Sequence, residues 1–300
     1  MSRRTDWSGI FVVMVTPFHP DGALDVESTR QLVDTLIAEG VDGIVLAGST
    51  GEWFSMSDTE KVELFSIAAD QARGRTKLLA GISAIATPSA VFLARQAKEL
   101  HFDGALVLPP PYILPTEREL LAFFAAIDAV GLPLMLYNNP PRTGVNLDAK
   151  WLRKLMAFKS VVALKESAKD IGQIADTLGQ VGDELAVFSG IETYLIPSLQ
   201  RGGAGVVAMA PNVLGAKAVE FYRECAAGHW DRAIVLQGAI DRLYAQMYSA
   251  GVNPYVVQKE AMRMLGRPGG WPRPPLMSMN DAERSSLRAV LAQIANLKLT

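Results

Sequence analysis

Lys165 ends an apolar segment, and a lysine in that position can supply the amine for covalent catalysis. It follows Val161–Leu164, a short run with two β-branched residues that is typical of a parallel strand covered on both faces. The side chain has two interpretations: the ammonium is hydrated or pairs with Glu166, or it lies at the mouth of an apolar barrel. In the second case desolvation lowers the pKa of the amine from about 10.4 and leaves a neutral, nucleophilic fraction. The groups that surround Lys165 decide between these interpretations.

Three further groups could serve such an amine, and each also has an ordinary structural explanation. Ser49 and Thr50 stand between two glycines, where hydroxyls and backbone N–H groups form either a small carboxylate site or an ordinary turn with a helix cap. Tyr137, at the end of another apolar segment, can transfer protons near a lysine, or it is a core aromatic whose hydroxyl meets water. Arg142 offers a planar fork for a second carboxylate, or it is a solvated loop residue.

The elements that must position these groups alternate regularly between strand and helix. Eight apolar strand segments each precede a helical segment, and the strands end at positions 16, 47, 81, 108, 138, 165, 189 and 208. Eight such units predict a (β/α)8 TIM barrel, whose functional residues lie at the carboxyl ends of the strands. The alternative is a doubly wound open sheet, which would carry a GxGxxG loop after its first strand, and the sequence has none there.

The C-terminal segment has a different pattern, because strand signals stop after Gly228 and helical periodicity continues. Three helices are predicted there: Trp230–Ser249, Pro254–Leu265 and Asp281–Lys298. No low-complexity tract or block of charge separates them from the preceding units. We therefore expect residues 1–228 to form the barrel that carries the active site, and residues 229–300 to form a helical appendix packed on it.

The composition argues against several classes of protein. The chain has 300 residues, 49% of them hydrophobic, which is enough for one large core. A formal net charge of −2 gives no electrostatic case for binding nucleic acid or an anionic membrane, and no apolar run approaches the roughly 20 residues of a membrane span. One cysteine and three scattered histidines favour neither a disulfide nor a histidine-rich metal centre. We expect a cytoplasmic protein, and the residue counts leave open a carboxylate-rich Mg²⁺ site.

Three motifs together carry a resemblance to a known family. Residues 48–52 are GSTGE, residues 137–144 are YNNPPRTG and residues 164–166 are LKE. In this order and at these separations they are similar to motifs of the dihydrodipicolinate synthase / N-acetylneuraminate lyase superfamily, and the similarity runs from the first strand to the last helices. The resemblance implies a class I aldolase-type lyase that forms a Schiff base with pyruvate or another 2-oxo acid and needs no cofactor or metal.

The resemblance also implies roles for residues of these motifs. Lys165 would form the imine and Tyr137 would be the proton-relay phenol. Ser49 stands where the family usually has threonine, and it keeps the hydroxyl while losing the methyl group. Thr50 and its backbone would hold the carboxylate of the 2-oxo acid. An imine carbon is more electrophilic than a ketone and its enamine is a carbon nucleophile, so one lysine enables carbon–carbon cleavage or condensation.

A further tyrosine predicts an oligomer. By the resemblance, Tyr112 matches a tyrosine that one subunit lends to its neighbour's site, while Gly190 and Val207 match positions that line the pyruvate pocket. Tyr112 also lies in the proline-rich segment 109–115, whose apolar side chains would mark an interface if they project from the barrel. The alternative is that this segment folds over its own barrel. We expect a homo-oligomer, a tetramer built from dimers.

The sequence does not fix the second substrate, because related enzymes of this superfamily act on different ones. Arg142 resembles an arginine of the synthase branch that binds the carboxylate of aspartate semialdehyde, which favours condensation of pyruvate with that aldehyde. The alternative is an aldolase or dehydratase of a sugar-derived 2-keto-3-deoxy acid, since Trp53 also occurs in such relatives. The lysine-feedback site of bacterial synthases is expected to be lost, because Trp53, Ile85 and Ser89 replace its usual residues. A non-catalytic barrel that only binds a 2-oxo acid would not need a lysine and a tyrosine together.

Overall fold

Eight parallel strands close into a barrel in the computed structural model, which describes residues 4–249 and 251–296. Each strand is hydrogen-bonded to the next one along the chain, and the last closes onto the first. The strands are β1 (Gly9–Val13), β2 (Gly43–Leu46), β3 (Lys77–Gly81), β4 (Gly104–Val107), β5 (Leu134–Asn138), β6 (Val161–Glu166), β7 (Ala186–Ser189) and β8 (Gly205–Ala208). Nearly all of their residues are buried, as parallel strands beneath helices require. The predicted (β/α)8 barrel is confirmed.

Helices cover the outside of the barrel and continue beyond its last strand. In the described residues they are α1 (Val26–Ala38), α2 (Asp58–Ala72), α3 (Thr87–Glu99), α4 (Glu117–Asp128), α5 (Pro140–Thr143), α6 (Ala149–Leu155), α7 (Ile171–Val181), α8 (Leu195–Leu199), α9 (Pro211–Leu214), α10 (Ala216–Ala227), α11 (Trp230–Met247), α12 (Pro254–Met264) and α13 (Asp281–Ala295). Local signals start them: Ser57 and Glu60 form a capping box at α2, and Asn253 caps α12. Over the same residues, none of the helices combines the length and the apolar character that crossing a lipid bilayer requires.

Two apolar layers result from the alternation of side chains along the strands. One layer fills the inside of the barrel, and the other lies between the barrel and its helices. On β8, Val206 and Ala208 belong to the outer layer, whereas Val207 faces inward. On β6, Ala163 faces inward. The same alternation directs Lys165, two residues further on, to the inside of the barrel.

The C-terminal helices pack on the barrel through a continuous core and a set of ion pairs. Apolar residues of α11, α12 and α13 belong to the same layer as the apolar residues outside the strands. Arg267, just after α12, pairs with Glu39 at 2.5 Å, and Lys259 within α12 pairs with Glu52 at 2.5 Å. The pair of Lys259 and Glu52 joins α12 to the loop after β2, at the carboxyl ends of the strands. The division of the chain at residue 228 stays a prediction.

The structure differs from the predicted boundaries mainly at the ends of elements. The helix predicted to begin at Leu214 is interrupted by Gly215, whose φ is +55° and whose Cβ, if it had one, would collide with the carboxylate of Glu39. The short helix α5 was not predicted, because its two leading prolines resemble a loop, although proline suits the first turn of a helix. The predicted end of the last helix at Lys298 lies outside the described residues.

Candidate active site

A cavity of about 260 Å³ lies at the carboxyl ends of the strands. Six of the residues predicted from the sequence line it: Ser49, Thr50, Tyr137, Arg142, Lys165 and Gly190. Its other lining residues are Asn139, Pro141, Ser167, Lys169, Ile191, Met209, Tyr248, Pro254 and Tyr255. Among the described residues, the lining side chains include two lysines and an arginine but no aspartate or glutamate. The cavity therefore favours an anionic ligand.

Lys165 and Tyr137 are neighbours across β5 and β6. Their backbones are paired in register, and Nζ of Lys165 lies 4.3 Å from the centroid of the Tyr137 ring. Lys165 is only 5% exposed, so it is not a hydrated surface ammonium. The Glu166 carboxylate accepts hydrogen bonds from the side chain of Asn138 and the backbone of Ala168 instead of pairing with Lys165. Of the two interpretations of Lys165, the structure supports the buried amine in a cavity.

Burial lowers the pKa of Lys165 to about 8, and the carboxylate of Glu192 opposes part of this shift. Glu192 is held by other partners: it accepts hydrogen bonds from the backbone N–H groups of Met209 at 2.6 Å and Ala210 at 2.7 Å, and from the Tyr244 hydroxyl. Burial raises the pKa of Glu192 itself, which weakens its effect on the lysine. Roughly a tenth of the Lys165 amine is therefore neutral at pH 7, which is enough for nucleophilic attack.

Tyr137 is placed to hold and donate a proton. Its hydroxyl accepts a hydrogen bond from the side-chain amide of Asn139 at 2.8 Å. Burial raises the pKa of the phenol, and the hydroxyls of Ser49 and Ser167 together with Asn139 offset part of that rise. The phenol therefore stays protonated near neutral pH while it lies beside other hydroxyls through which a proton can pass.

The loop that carries Ser49 and Thr50 follows β2 and is held by hydrogen bonds and an ion pair. The Thr16 hydroxyl donates to the carbonyl of Gly51 at 2.7 Å. Glu52 adopts a left-handed backbone conformation, with φ of +57°, which a glutamate keeps only when its surroundings enforce it. Its buried carboxylate pairs with Lys259 and accepts from the backbone N–H of Arg273 at 3.0 Å. The hydroxyls of the loop are thus fixed at the edge of the cavity.

Gly190 is required by the close approach of its neighbours. A Cβ at this position would collide with the Ser167 hydroxyl and would lie 2.9 Å from Cε of Lys165. Ser167, which the sequence analysis did not single out, is 7% exposed, and its hydroxyl makes no hydrogen bond of ordinary geometry within the described residues. A buried hydroxyl of this kind is available to a ligand in the cavity. Its position two residues after Lys165, on the same face of the strand, was the signal that could have found it.

The C-terminal segment supplies three lining residues that the sequence analysis missed: Tyr248, Pro254 and Tyr255. They come from the end of α11 and the start of α12, so the cavity extends beyond residues 1–228. Lys169, after β6, also lines the cavity and places its Nζ 4.9 Å from the centroid of the Tyr248 ring. No motif marks these positions, because the packing of α11 and α12 on the barrel brings them to the site.

Two predicted site residues do not line the cavity. Val207 belongs to the apolar interior of the barrel, and Met209, two residues further along, lines the cavity instead. Val207 lies one inward-facing layer below Met209, and its role in the pyruvate pocket stays a prediction. Tyr112 lies in the segment after β4 and is 88% exposed. Its φ of +76° is in the left-handed region, which residues other than glycine seldom adopt. Its contribution to a neighbouring subunit's site stays a prediction.

Comparisons of the sequence with known proteins identify a family. A profile of the dihydrodipicolinate synthetase family matches residues 6–294. The chain is 40% identical over 299 residues to an uncharacterized DapA-like lyase of Rhizobium meliloti, covering all of both chains. It is 34% identical over 287 residues to the 4-hydroxy-tetrahydrodipicolinate synthase of Heliobacterium modesticaldum, covering 95% of each chain.

Solved structures match over nearly the whole chain. The dihydrodipicolinate synthase of Aquifex aeolicus superposes with a TM-score of 0.90 at 32% identity, covering 97% of this chain and 99% of that one. YagE, a prophage protein of the same family from Escherichia coli K12 solved in complex with pyruvate, superposes with a TM-score of 0.91 at 26% identity, covering 96% and 98%. The fold and the order of elements around the cavity are therefore those of both structures.

Proposed function

This chain belongs to the dihydrodipicolinate synthetase family, and on that premise we propose that it condenses or cleaves 2-oxo acids through an imine on Lys165. Family membership makes it an enzyme, a lyase of aldolase type. The observation that carries the proposal is a buried amine with a pKa of about 8 that faces a cavity beside a protonated phenol. No cofactor takes part in the proposed steps.

The first steps use Lys165, Tyr137 and the loop after β2. The carboxylate of pyruvate binds the hydroxyls and backbone N–H groups of Ser49 and Thr50, which leaves its C2 carbonyl toward Lys165. The neutral amine attacks C2 to form a carbinolamine, and Tyr137 donates a proton to the hydroxyl that leaves as water. Loss of a proton from C3 of the resulting imine gives an enamine, the carbon nucleophile that adds to an aldehyde.

The cations at the mouth of the cavity support an acceptor that carries its own carboxylate. Arg142 and Lys169 both line the cavity, and neither is needed for the amine chemistry at Lys165. A guanidinium binds a carboxylate through two parallel hydrogen bonds. This arrangement favours a reaction like that of 4-hydroxy-tetrahydrodipicolinate synthase, in which the acceptor is aspartate semialdehyde.

A second candidate is an aldolase or dehydratase of a sugar-derived 2-keto-3-deoxy acid. The observation that favours it is the buried Ser167 hydroxyl, which has no hydrogen-bond partner of ordinary geometry in the described residues and lies beside the lysine. A substrate hydroxyl near C4 of a sugar acid would satisfy it.

The oligomeric state is a separate proposal. Apolar side chains of Tyr112, Ile113 and Leu114 are 88%, 51% and 64% exposed, and a contiguous apolar surface of this kind favours contact with a second copy of the chain. A tetramer built from dimers, expected by family resemblance, agrees with this surface. A cytoplasmic location also stays a prediction.

Borohydride reduction in the presence of pyruvate tests the proposal. The wild-type enzyme should gain the mass of one reduced pyruvyl group on the peptide that contains Lys165, with or without EDTA. Turnover is then compared for pyruvate with aspartate semialdehyde and for a panel of 2-keto-3-deoxy sugar acids. Failure of Lys165 to be labelled would overturn the imine mechanism, and the preferred acceptor would choose between the two candidate reactions.

A further inference from the structure

We propose that Asn139 is a positioning residue for the reaction at Lys165. Its side-chain amide fixes the direction of the Tyr137 phenol hydrogen and stabilises the phenolate that forms when this hydrogen leaves as a proton. The inference rests on the imine chemistry proposed above and adds a residue to it. Asn139 lies within the motif at residues 137–144, but the sequence analysis gave it no role.

The backbone of Asn139 is held in place by the short helix that follows it. Its carbonyl accepts hydrogen bonds from the backbone N–H groups of Arg142 at 2.9 Å and Thr143 at 3.1 Å. The Thr143 hydroxyl donates to the same carbonyl at 3.2 Å. Pro140, the first residue of α5, has a fixed φ and stiffens this turn. The amide therefore projects from a stretch of main chain with little freedom.

The side chain of Asn139 meets the Tyr137 phenol inside the cavity. The two residues are two positions apart and both line the cavity. Nδ2 of Asn139 donates a hydrogen bond to the Tyr137 hydroxyl at 2.8 Å. Asn138, between them, does not line the cavity, and its amide donates to the buried Glu166 carboxylate at 2.9 Å. One asparagine thus joins β5 to β6, and the next one acts on the phenol.

This hydrogen bond determines which way the phenol can donate. A phenolic hydrogen lies near the plane of its ring, in one of two orientations, and the oxygen accepts on the other side. The amide N–H of Asn139 occupies one side, so the hydrogen of Tyr137 points away from Asn139. Tyr137 is only 6% exposed, so bulk water does not compete freely for its oxygen. The phenol is therefore oriented before a substrate arrives.

The dehydration step uses both effects. Tyr137 donates its proton to the carbinolamine hydroxyl, the C–O bond breaks to release water, and the lone pair of the Lys165 nitrogen forms the C=N bond. The products are a protonated imine, water and the Tyr137 phenolate, which a proton from solvent later restores to the phenol. A hydrogen bond to a charged acceptor is about twice as strong as a neutral one, so Asn139 stabilises the phenolate more than the phenol. Burial raises the pKa of Tyr137, and the Asn139 amide offsets part of that rise.

Replacement of Asn139 by leucine tests this role, because leucine is similar in size and has no donor. Asn139→Leu should slow borohydride-trapped imine formation with pyruvate by about 10- to 100-fold, the range for one hydrogen bond to a charged group. Labelling of Lys165 should still reach completion, and KM for pyruvate should change less than two-fold. Asn139→Asp should slow the step further, because it adds a negative charge beside the phenol. Asn146→Leu is the matched control: its exposed amide bonds Asn138 and Gln173 and does not line the cavity.

The pH profile distinguishes this role from a structural one. Without the donor the phenolate is less stable, so the pKa of Tyr137 rises and the alkaline limb of the trapping rate should move to higher pH in Asn139→Leu. It should not move in the control.

Four outcomes would overturn the inference. Wild-type rates in Asn139→Leu would show that the amide is not needed. A change only in KM would make Asn139 a substrate-binding residue. A slower step with an unmoved alkaline limb would indicate displaced side chains, and a limb moved to lower pH would show that the amide accepts from the phenol. Absence of label in the wild type would instead remove the imine chemistry itself, and with it this inference.

Discussion

Two of the buried lysines of this enzyme, Lys165 and Lys259, have a lowered pKa, and their surroundings differ. Lys165 is 5% exposed and Lys259 is 0% exposed, and burial lowers the pKa of each to about 8. Lys165 faces the cavity beside the ring of Tyr137. Lys259 has the Glu52 carboxylate at 2.5 Å and donates to the carbonyl of Trp271 at 2.8 Å. The first amine is accessible to a ligand, and the second is enclosed by protein.

This difference teaches that a lowered pKa does not by itself identify a catalytic lysine. Desolvation acts on both amines, because both are removed from water. At Lys259 the opposing carboxylate and the carbonyl hold the charged form in place, so the ammonium joins α12 to the barrel. At Lys165 the only carboxylate that acts on the pKa is that of Glu192, which is held by other partners. Access to the cavity and the lack of a close ion pair are what support Lys165 as the proposed nucleophile.

The largest expected effect is the loss of activity in Lys165→Met. Removal of the nucleophile should lower kcat by at least about 10⁴-fold and abolish borohydride labelling. Lys259→Met is the matched control, since it removes an equally buried amine and should leave labelling of Lys165 intact at a temperature where it is folded. Labelling that moved from Lys165 to Lys259, or that vanished in the folded Lys259→Met protein, would break the distinction between the two sites.

Lys259→Met should instead reduce stability. It leaves the buried Glu52 carboxylate without its partner, which is expected to lower the free energy of unfolding by about 3–5 kcal/mol in urea denaturation. The double variant Lys259→Met/Glu52→Gln should recover part of that loss, because it removes the unpaired charge. Equal stability of the single and double variants would show that the ion pair does not join the two segments.

The pH dependence of stability should reveal the cost of burying the Lys165 ammonium. The pKa of Lys165 is 10.5 unfolded and about 8 folded. Below pH 8 both states are protonated and burial of the charge costs stability in full; between pH 8 and 10.5 the unfolded state binds more protons, so stability rises with pH. Lys165→Met should therefore be more stable than wild type by about 1–3 kcal/mol at pH 7. That advantage should vanish near pH 10.5, as measured by chemical denaturation at each pH.

The smallest expected effects distinguish an arginine of the cavity from one of the packed segment. Arg142 is exposed, so Arg142→Ala should change stability by less than about 0.5 kcal/mol. It should raise KM about 10-fold for an acceptor that carries a carboxylate, and much less for pyruvate. Arg273 donates to the carbonyl of Ser55 at 2.8 Å and pairs with Glu60 at 2.6 Å. Arg273→Lys should lower stability by about 1–2 kcal/mol and leave both KM values unchanged. An increase in KM for pyruvate alone in Arg142→Ala would move that arginine to the other substrate.

The barrel and its central pair of residues follow from local sequence. Short apolar strands between helical segments predict the fold, and a lysine or tyrosine at the end of such a strand lies at the carboxyl edge of the barrel. The side-chain alternation of a strand is also local, and it predicts which residues of β6 and β8 face the inside of the barrel. Position along a strand depends on where the strand begins, and apolar composition alone does not fix that boundary.

The rest of the site depends on contacts between distant segments. Tyr255 lies in an ordinary helical pattern, and only the packing of α12 against the loop after β2 brings it to the cavity. The pairing of Glu52 with Lys259 has no local signal, since each residue alone resembles a surface charge. Such contacts arise from tertiary structure, so the appendix was expected to support the site but not to take part in it.

The start of α12 has a consequence for how this enzyme diversifies and is engineered. Tyr248, Pro254 and Tyr255 lie close together in the sequence and line the cavity, while Lys165 and the loop with Ser49 and Thr50 come from the barrel. A short, contiguous stretch of the gene therefore encodes these lining residues without encoding Lys165. Exchange of this stretch between relatives is a compact way to recombine acceptor preference over an unchanged reaction centre. The same stretch is the first region in which to build a focused mutant library.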